Sequence, residues 1–192
     1  MSLTHLQTQL RIETVNAMTM ELPLDRDELR ERWATGERFD FYFFYGHKPP
    51  ETGVDASCLS QWFESGFTID DIYYPTAEHW MMAEKARLFD DPHHLEQIIA
   101  SPDPRTAKAH GRKVKGFNQE KWNAERFDIV YRGNVAKFDQ NEELGEFLGS
   151  TYGTILVEAA GRDTIWGIGL GQSNPKAKDP ATWRGGICWV LC

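Results

Sequence analysis

Apolar residues recur along the chain mainly with the spacing of helices. Helical periodicity, or the start and stop signals that bound a helix, predicts helices at about 24–33, 76–89, 101–111, 118–138 and 144–149. Two other stretches, 39–44 and 154–159, have the aromatic and β-branched residues that are typical of strands. We therefore expect a mainly α fold of the α+β type, with a few short strands.

The domain organisation follows from the absence of a repeat or a dividing linker in the 192 residues. Seven Trp, eleven Phe and six Tyr supply enough apolar surface for a core that needs no disulfides. We expect an N-terminal extension over residues 1–35 and one domain over residues 36–192.

The helix at 76–89 places two charges where charges are costly. Its apolar stripe consists of Met81, Met82, Leu88 and Phe89. Glu78 and Lys85 fall within that stripe, whereas Glu84 and Arg87 point the other way, toward solvent. A carboxylate and an ammonium on an apolar face are costly unless they are paired or used in chemistry. Glu78 and Lys85 are therefore the first candidates for catalysis.

The spacing of Glu78 and Lys85 is nearly two helical turns, about 10 Å along the axis. Helical side chains lean toward the N-terminus, so we expect the Lys85 stem to reach back toward Glu78 and leave room for a small substrate group. Desolvation of Lys85 would lower its pKa and make the amine nucleophilic. The alternative is a buried ion pair, or a lysine that snorkels to solvent beside a first-turn Glu that suits the helix dipole.

A glycine-rich loop at 158–171 is the second candidate site. Asp163 and Trp166 precede Gly167, Gly169 and Gly171, which let the backbone approach a ligand closely. The Trp ring could stack a base, and the carboxylate could accept hydrogen bonds from a ribose. The alternative is a tight structural turn with a Trp in the core.

Charge and composition narrow the functions further. A net charge of −8 argues against broad binding to nucleic acid, although the basic residues of 105–115 form either a solvated surface or a phosphate-steering one. No apolar run approaches the roughly 20 residues that cross a bilayer, and the N-terminus lacks a secretory pattern. The cysteines are few and have no metal-ligand spacing. We expect a cytoplasmic protein with no membrane partner, no metal and no cofactor.

Several ordered motifs resemble those of the NADAR superfamily. They are CLSQWF, YYPTAEHWMMAEKARLF, AKAHGRKVKGF, KWNAERFDIVYRGNVAKF, LVEAAGRDTIWGIGLG and TWRG. The resemblance covers roughly Phe41 to Gly185. It implies a largely helical domain and a hydrolase that cleaves the N-glycosidic bond between a ribose, phosphoribosyl or ADP-ribosyl, and a base or amine. The alternative is a non-catalytic module that binds NAD or ADP-ribose.

The same resemblance implies roles for individual residues. Glu78 and Lys85 would be catalytic, and the Asp-x-x-Trp-Gly element falls on Asp163, Trp166 and Gly167. The remaining candidates for substrate binding are Gln61, Trp62, Arg126 and Lys137, of which the last two would contact phosphate. The implied substrates are small nucleotides such as riboflavin-biosynthesis intermediates, ADP-ribosylated bases, or an ADP-ribosylated end of a nucleic acid.

Two departures from the family pattern stand out. Gln61 occupies a position where many members have Asn, which keeps the amide but lengthens the side chain. After Trp183-Arg184-Gly185 the family usually continues with an Asn-Leu-Leu-Gly-Phe run and a helix, but this sequence reads GICWVLC. Codons for these residues can encode the family's run in a shifted reading frame. We therefore expect the usual C-terminal helix to be missing.

Overall fold

A computed structural model describes residues 22–23 and 25–185. Its helices are α1 (Arg26–Ala34), α2 (Ala77–Leu88), α3 (Pro92–Ile99), α4 (Pro104–Gly111), α5 (Gln119–Asp139) and α6 (Glu142–Ser150). Its strands are β1 (Phe41–Phe44), β2 (Phe67–Ile69), β3 (Ile72–Tyr74) and β4 (Ile155–Glu158), with short 3-10 turns at Ala56–Leu59, Pro175–Lys178 and Pro180–Thr182. The expected α+β fold with few short strands is confirmed. Most of the expected extension, and the tail at 186–192, lie outside the described residues.

The helices begin where polar side chains cap free backbone amides. Thr76 caps α2, and Asp103 and Asn118 cap α4 and α5 by accepting a hydrogen bond from an amide of the first turn. Helix α3 was not predicted, although its signals are present in the sequence. Asp91 caps it by accepting from the amide of His94 at 3.1 Å, and Pro92 occupies its first position.

The hairpin of β2 and β3 was also missed by the sequence analysis. Its two-residue turn consists of Asp70 and Asp71, whose φ angles are 51° and 61°. Positive φ at both central positions is the geometry that joins antiparallel strands tightly, and Asp tolerates it better than most residues.

Helix α2 lies at the centre of the molecule, packed against α3, α4 and α5. The predicted single apolar stripe is too narrow, because His79, Trp80 and Ala83 are buried as well. Glu84 and Arg87, which we expected to be solvated, form an ion pair at 2.6 Å. A helix that is enclosed on several sides can carry a charge such as Glu78 only if its neighbours supply partners.

The parallel pairing of β1 and β4 fixes the position of the site. Phe41 pairs with Ile155 and Phe44 with Glu158. One face of this small sheet contributes Phe44 and Leu156 to the core around α2, and the other face contributes Ile155 and Val157 to a second core beneath α1. Because the strands are parallel, the loops that follow them emerge at the same edge, where ligands commonly bind in α/β sheets.

The contact between α2 and α5 has no room for a side chain at Gly133. A Cβ there would lie 2.2 Å from Cδ1 of Trp80, which is buried and donates from Nε1 to the carbonyl of Ile129 at 2.7 Å. We expect Gly133→Ala to lower the free energy of unfolding by about 1–3 kcal/mol. Gly149→Ala is the matched control, because no atom lies within 4 Å of its Cβ position in α6. Urea unfolding measures both, and wild-type stability in Gly133→Ala would contradict the packing described.

Candidate active site

A cleft of about 1610 Å³ opens at the carboxyl edge of β1 and β4. Residues that follow β1 form one wall (45–48, 55–57, 60 and 62), and residues that follow β4 form another (158–165). Helix α4 contributes Lys108 and Arg112. The cleft therefore depends on the four-residue parallel pairing and on the way α4 packs against α2.

Glu78 lies enclosed behind this cleft and is only 1% exposed. Its Oε2 accepts a hydrogen bond from Nε1 of Trp62 at 3.1 Å, and its Oε1 lies 3.5 Å from Nζ of Lys108. That second distance suits an ion pair, but Oε1 has no hydrogen-bond donor among the described residues. Trp62 and Lys108 both line the cleft, so they connect the buried carboxylate to it.

Burial determines the protonation of Glu78. Loss of solvent raises the pKa of this carboxyl above its ordinary value, while Lys108, the Trp62 hydrogen bond and Arg112 act in the opposite direction. A raised pKa suits a group that exchanges protons near neutral pH.

Within the described residues Lys85 forms no ion pair with Glu78, and its side chain lies against aromatic rings. The Lys85 ammonium lies 4.3 Å from the ring centroid of Phe117 and 5.7 Å from that of Trp122, and it does not line the cleft. Two aromatic faces attract the cation, and Lys108 already occupies the position next to Glu78. Burial lowers the pKa of Lys85, and Arg112 lowers it further against an opposing effect of Glu78.

Asp163 lies in the cleft, as a substrate-binding role requires. Its Oδ1 accepts hydrogen bonds from the amides of Ile165 at 2.7 Å and Trp166 at 3.0 Å. These bonds hold the loop in a tight turn, and no residue of the described ranges donates to Oδ2, so it is left for a ligand.

Trp166 and Gly167 lie outside the cleft lining. Trp166 packs against the core around α2, and the Arg126 guanidinium lies 5.6 Å from the centroid of its ring. One ring face of Trp166 is therefore covered by a cation. A Cβ on Gly167 would lie 3.1 Å from the carbonyl oxygen of Glu158, so glycine at this position allows the loop to pack closely against the end of β4.

Gln61 and Lys137 connect helix α5 to the turn that carries Trp62. Gln61 donates to Oδ1 of Asn134 at 2.9 Å. Lys137 is completely buried and donates to the carbonyls of Cys58 at 2.5 Å and Ser60 at 2.9 Å. The predicted phosphate contact of Lys137 is incompatible with this burial, and Arg126 does not reach the cleft either.

Two residues that the sequence analysis did not single out are prominent in the cleft. Lys108 belongs to the basic run at 105–115. The sequence predicts that this run lies at the surface, but it does not show which residue Lys108 contacts. Glu158 is the last residue of β4. The predicted strand at 154–159 was the available signal, because a residue at the end of that strand lies next to the glycine-rich loop. Burial, Asp163 and Glu78 together raise the pKa of Glu158 to about 7 against the opposing effect of Lys108.

The cleft also carries cations that suit an anionic ligand. Lys48, Arg112 and Arg162 line it, and none of them forms an ion pair with another residue of the described chain. Phosphate oxygens are the ligands that such side chains bind best. Within the described ranges no cluster of His, Cys, Asp and Glu could hold a metal ion, and no helix is long and apolar enough to span a bilayer.

Comparison with known proteins shows the family. Residues 43–186 match the sequence profile of the NADAR domain. The chain therefore belongs to the NADAR family.

Two relatives and one solved structure illustrate the similarity. N-glycosidase R617 of Acanthamoeba polyphaga mimivirus is 39% identical over 135 residues, which are 68% of this chain and 78% of that protein. Protein irg-1 of Caenorhabditis elegans is 36% identical over 148 residues, covering 68% of this chain and 70% of its own length. The NMR structure of the E. coli protein YbiA shares the fold with a TM-score of 0.61 and 23% identity, over 81% of this chain and 82% of that one.

Replacing Glu78 by Gln keeps the shape of the side chain and removes its charge. Because burial raises the folded-state pKa of Glu78 above 4.5, the wild type loses stability as the pH rises from that value through the folded-state pKa. We expect the free energy of unfolding of Glu78→Gln, minus that of the wild type, to increase with pH across this window. Urea unfolding at several pH values measures the difference.

The control for this experiment is Glu146→Gln, which changes an exposed carboxyl on α6. Its difference from the wild type should stay nearly constant with pH. A difference for Glu78→Gln that is flat or decreases with pH would contradict the enclosed position of the carboxylate.

Proposed function

We propose that this protein is an N-glycosidase that hydrolyses the bond between C1 of a ribose and the nitrogen of a base or amine. The observation that carries the proposal is the enclosed Glu78 carboxylate, held by Trp62 and Lys108 behind an open cleft in a NADAR domain. The name of the mimiviral relative, N-glycosidase R617, supports the same reaction class.

The cleft supplies groups for the phosphate, the ribose and the reacting bond of a ribosylated substrate. Lys48, Arg112 and Arg162 would bind phosphate. The free Oδ2 of Asp163 would accept a hydrogen bond from a ribose hydroxyl. Glu78, held by the Trp62 hydrogen bond and with its raised pKa, would take and return protons during attack by water that enters from the cleft beside Lys108.

Lys85 has two possible roles in this proposal. Its lowered pKa increases the fraction of neutral amine, which can attack the opened sugar and form a Schiff base. Its side chain would first have to leave the rings of Phe117 and Trp122. Otherwise it acts at a distance as a positive charge.

The substrate belongs to one of three classes with the same scissile bond. These are phosphoribosylated riboflavin-biosynthesis intermediates, ADP-ribosylated guanine as a base or at the end of a nucleic acid, and free NAD-like nucleotides. A cytoplasmic setting is part of the proposal, because Cys58 is a free, buried thiol and the cysteine pattern predicts reducing conditions.

A second function, binding of NAD or ADP-ribose without cleavage, is favoured by one observation. Lys85 lies outside the cleft lining, so only one of the two expected catalytic residues has partners there. A binding module needs the cations and Asp163 but not the amine.

An assay of base release on all three substrate classes tests the proposal. We expect the wild type to release base from at least one of them, and Glu78→Gln to lose about 100-fold or more in kcat, the usual range for an acid–base residue. Mass spectrometry identifies the released base, and Glu146→Gln should keep the wild-type rate. Borohydride trapping with substrate assigns Lys85, because only a Schiff base gives an adduct that Lys85→Ala loses.

Calorimetry with ADP-ribose separates the two functions. Binding of ADP-ribose by a wild type that releases no base from any of the three classes would contradict the glycosidase and favour the binding module.

A further inference from the structure

Three carboxyl groups line the cleft, and their surroundings differ. Asp55 accepts a hydrogen bond from the amide of Ser57 at 2.9 Å, and Asp163 accepts two amide bonds from its own turn. Glu158 makes no side-chain hydrogen bond or ion pair with any other residue of the described ranges. Among these three groups it is therefore the one whose carboxyl is left entirely for a ligand.

The backbone of Glu158 is held firmly even though its side chain is not. Its carbonyl accepts from the amide of Ile168 at 3.0 Å, and the amide of the next residue, Ala159, donates to the carbonyl of Phe44 at 2.9 Å. The close packing of Gly167 against the same carbonyl restricts this loop further. Because the backbone of Glu158 is already restrained, its carboxyl is positioned with little loss of entropy when substrate binds.

Glu78 and Glu158 differ in their access to substrate. Glu78 is enclosed, and both of its oxygens face side chains that line the cleft. Glu158 is half-buried and lines the cleft itself. A group that must touch the departing nitrogen has to reach it within hydrogen-bond distance, which the geometry allows for Glu158.

The charges around Glu158 favour its protonated form. Asp163 in the adjacent loop and Glu78 on α2 are negative, and Lys108 on α4 is the opposing positive group. Together with burial they raise the pKa of Glu158 to about 7, so the carboxyl holds a proton for about half of the time at neutral pH.

We propose that Glu158 is the general acid of the hydrolysis, an inference that rests on the proposed glycosidase function. The Glu158 carboxyl gives its proton to the base nitrogen as the bond from that nitrogen to ribose C1 breaks, and the bonding electron pair stays on nitrogen. Water then forms a bond to C1 and gives a proton to Glu78, which returns it to the solvent, and Glu158 regains its own proton from the solvent. The products are the free base and the ribose with a hydroxyl at C1, so one water molecule is consumed.

The test is the pH profile of kcat on whichever amine- or guanine-linked substrate the wild type hydrolyses. The protonated acid is required, so the wild-type rate should fall about tenfold per pH unit above about pH 7. Glu158→Gln should lose about 100-fold or more at pH 6 and lack this descending limb. Glu146→Gln should keep both the rate and the limb.

A substrate whose base leaves without a proton supplies an independent readout. The nicotinamide of NAD departs as a neutral pyridine, so Glu158→Gln should slow release from NAD less than about tenfold where the wild type accepts NAD. A purely structural loss would slow both substrates equally. Should Glu158→Gln fail to fold, Glu158→Asp retains an acid, and we expect it to keep the descending limb at a rate reduced about tenfold or more.

The outcomes separate this inference from the function on which it rests. No base release by the wild type from any substrate would overturn both the glycosidase and its general acid. An active wild type together with a Glu158→Gln variant that keeps the rate and the limb would overturn only the role of Glu158.

Discussion

The enclosure of one carboxylate in the central helix is the constraint on which the rest of the structure depends. Glu78 is tolerated there because Trp62 donates to one oxygen and Lys108 lies near the other. Each partner has to be brought in by a separate element. Trp62 lies in the turn after β1, and hydrogen bonds of Gln61 and Lys137 connect this turn to α5. Lys108 lies on α4, which packs against α2.

The small sheet of β1 and β4 determines where the cleft lies. Its four paired positions place the loops after β1 and β4 at one edge, and the cleft forms between those loops and α4. The same edge receives Glu158 and Asp163, and Lys108 acts on both Glu78 and Glu158. A few strand residues thus position charges that come from distant parts of the chain.

The sequence predicted the elements that carry strong local signals. Helix ends with Asp, Asn or Thr caps and the strand at 154–159 were found, and Glu78 was recognised because its charge interrupts an apolar stripe. The β2–β3 hairpin and α3 were missed although Asp70-Asp71 and Asp91-Pro92 are local signals for them. The partner of Glu78 could not be found in this way, because a helical wheel relates Glu78 to Lys85 and cannot show that α4 brings Lys108 closer. Lys137 illustrates the same limit: its residue type suits phosphate, but the turn at Cys58 and Ser60 directs its ammonium into the core.

The central claim is that Glu78 is a buried carboxyl whose ionisation depends on Lys108. Carbon-detected NMR of the Glu78 side-chain carboxyl, followed through a pH titration in the wild type and in Lys108→Met, measures this directly. The account predicts a wild-type pKa above 4.5 and a still higher pKa in Lys108→Met, because loss of the ammonium removes a charge that favours the ionised form. A wild-type pKa at or below 4.5, or a pKa that Lys108→Met leaves unchanged, would contradict it.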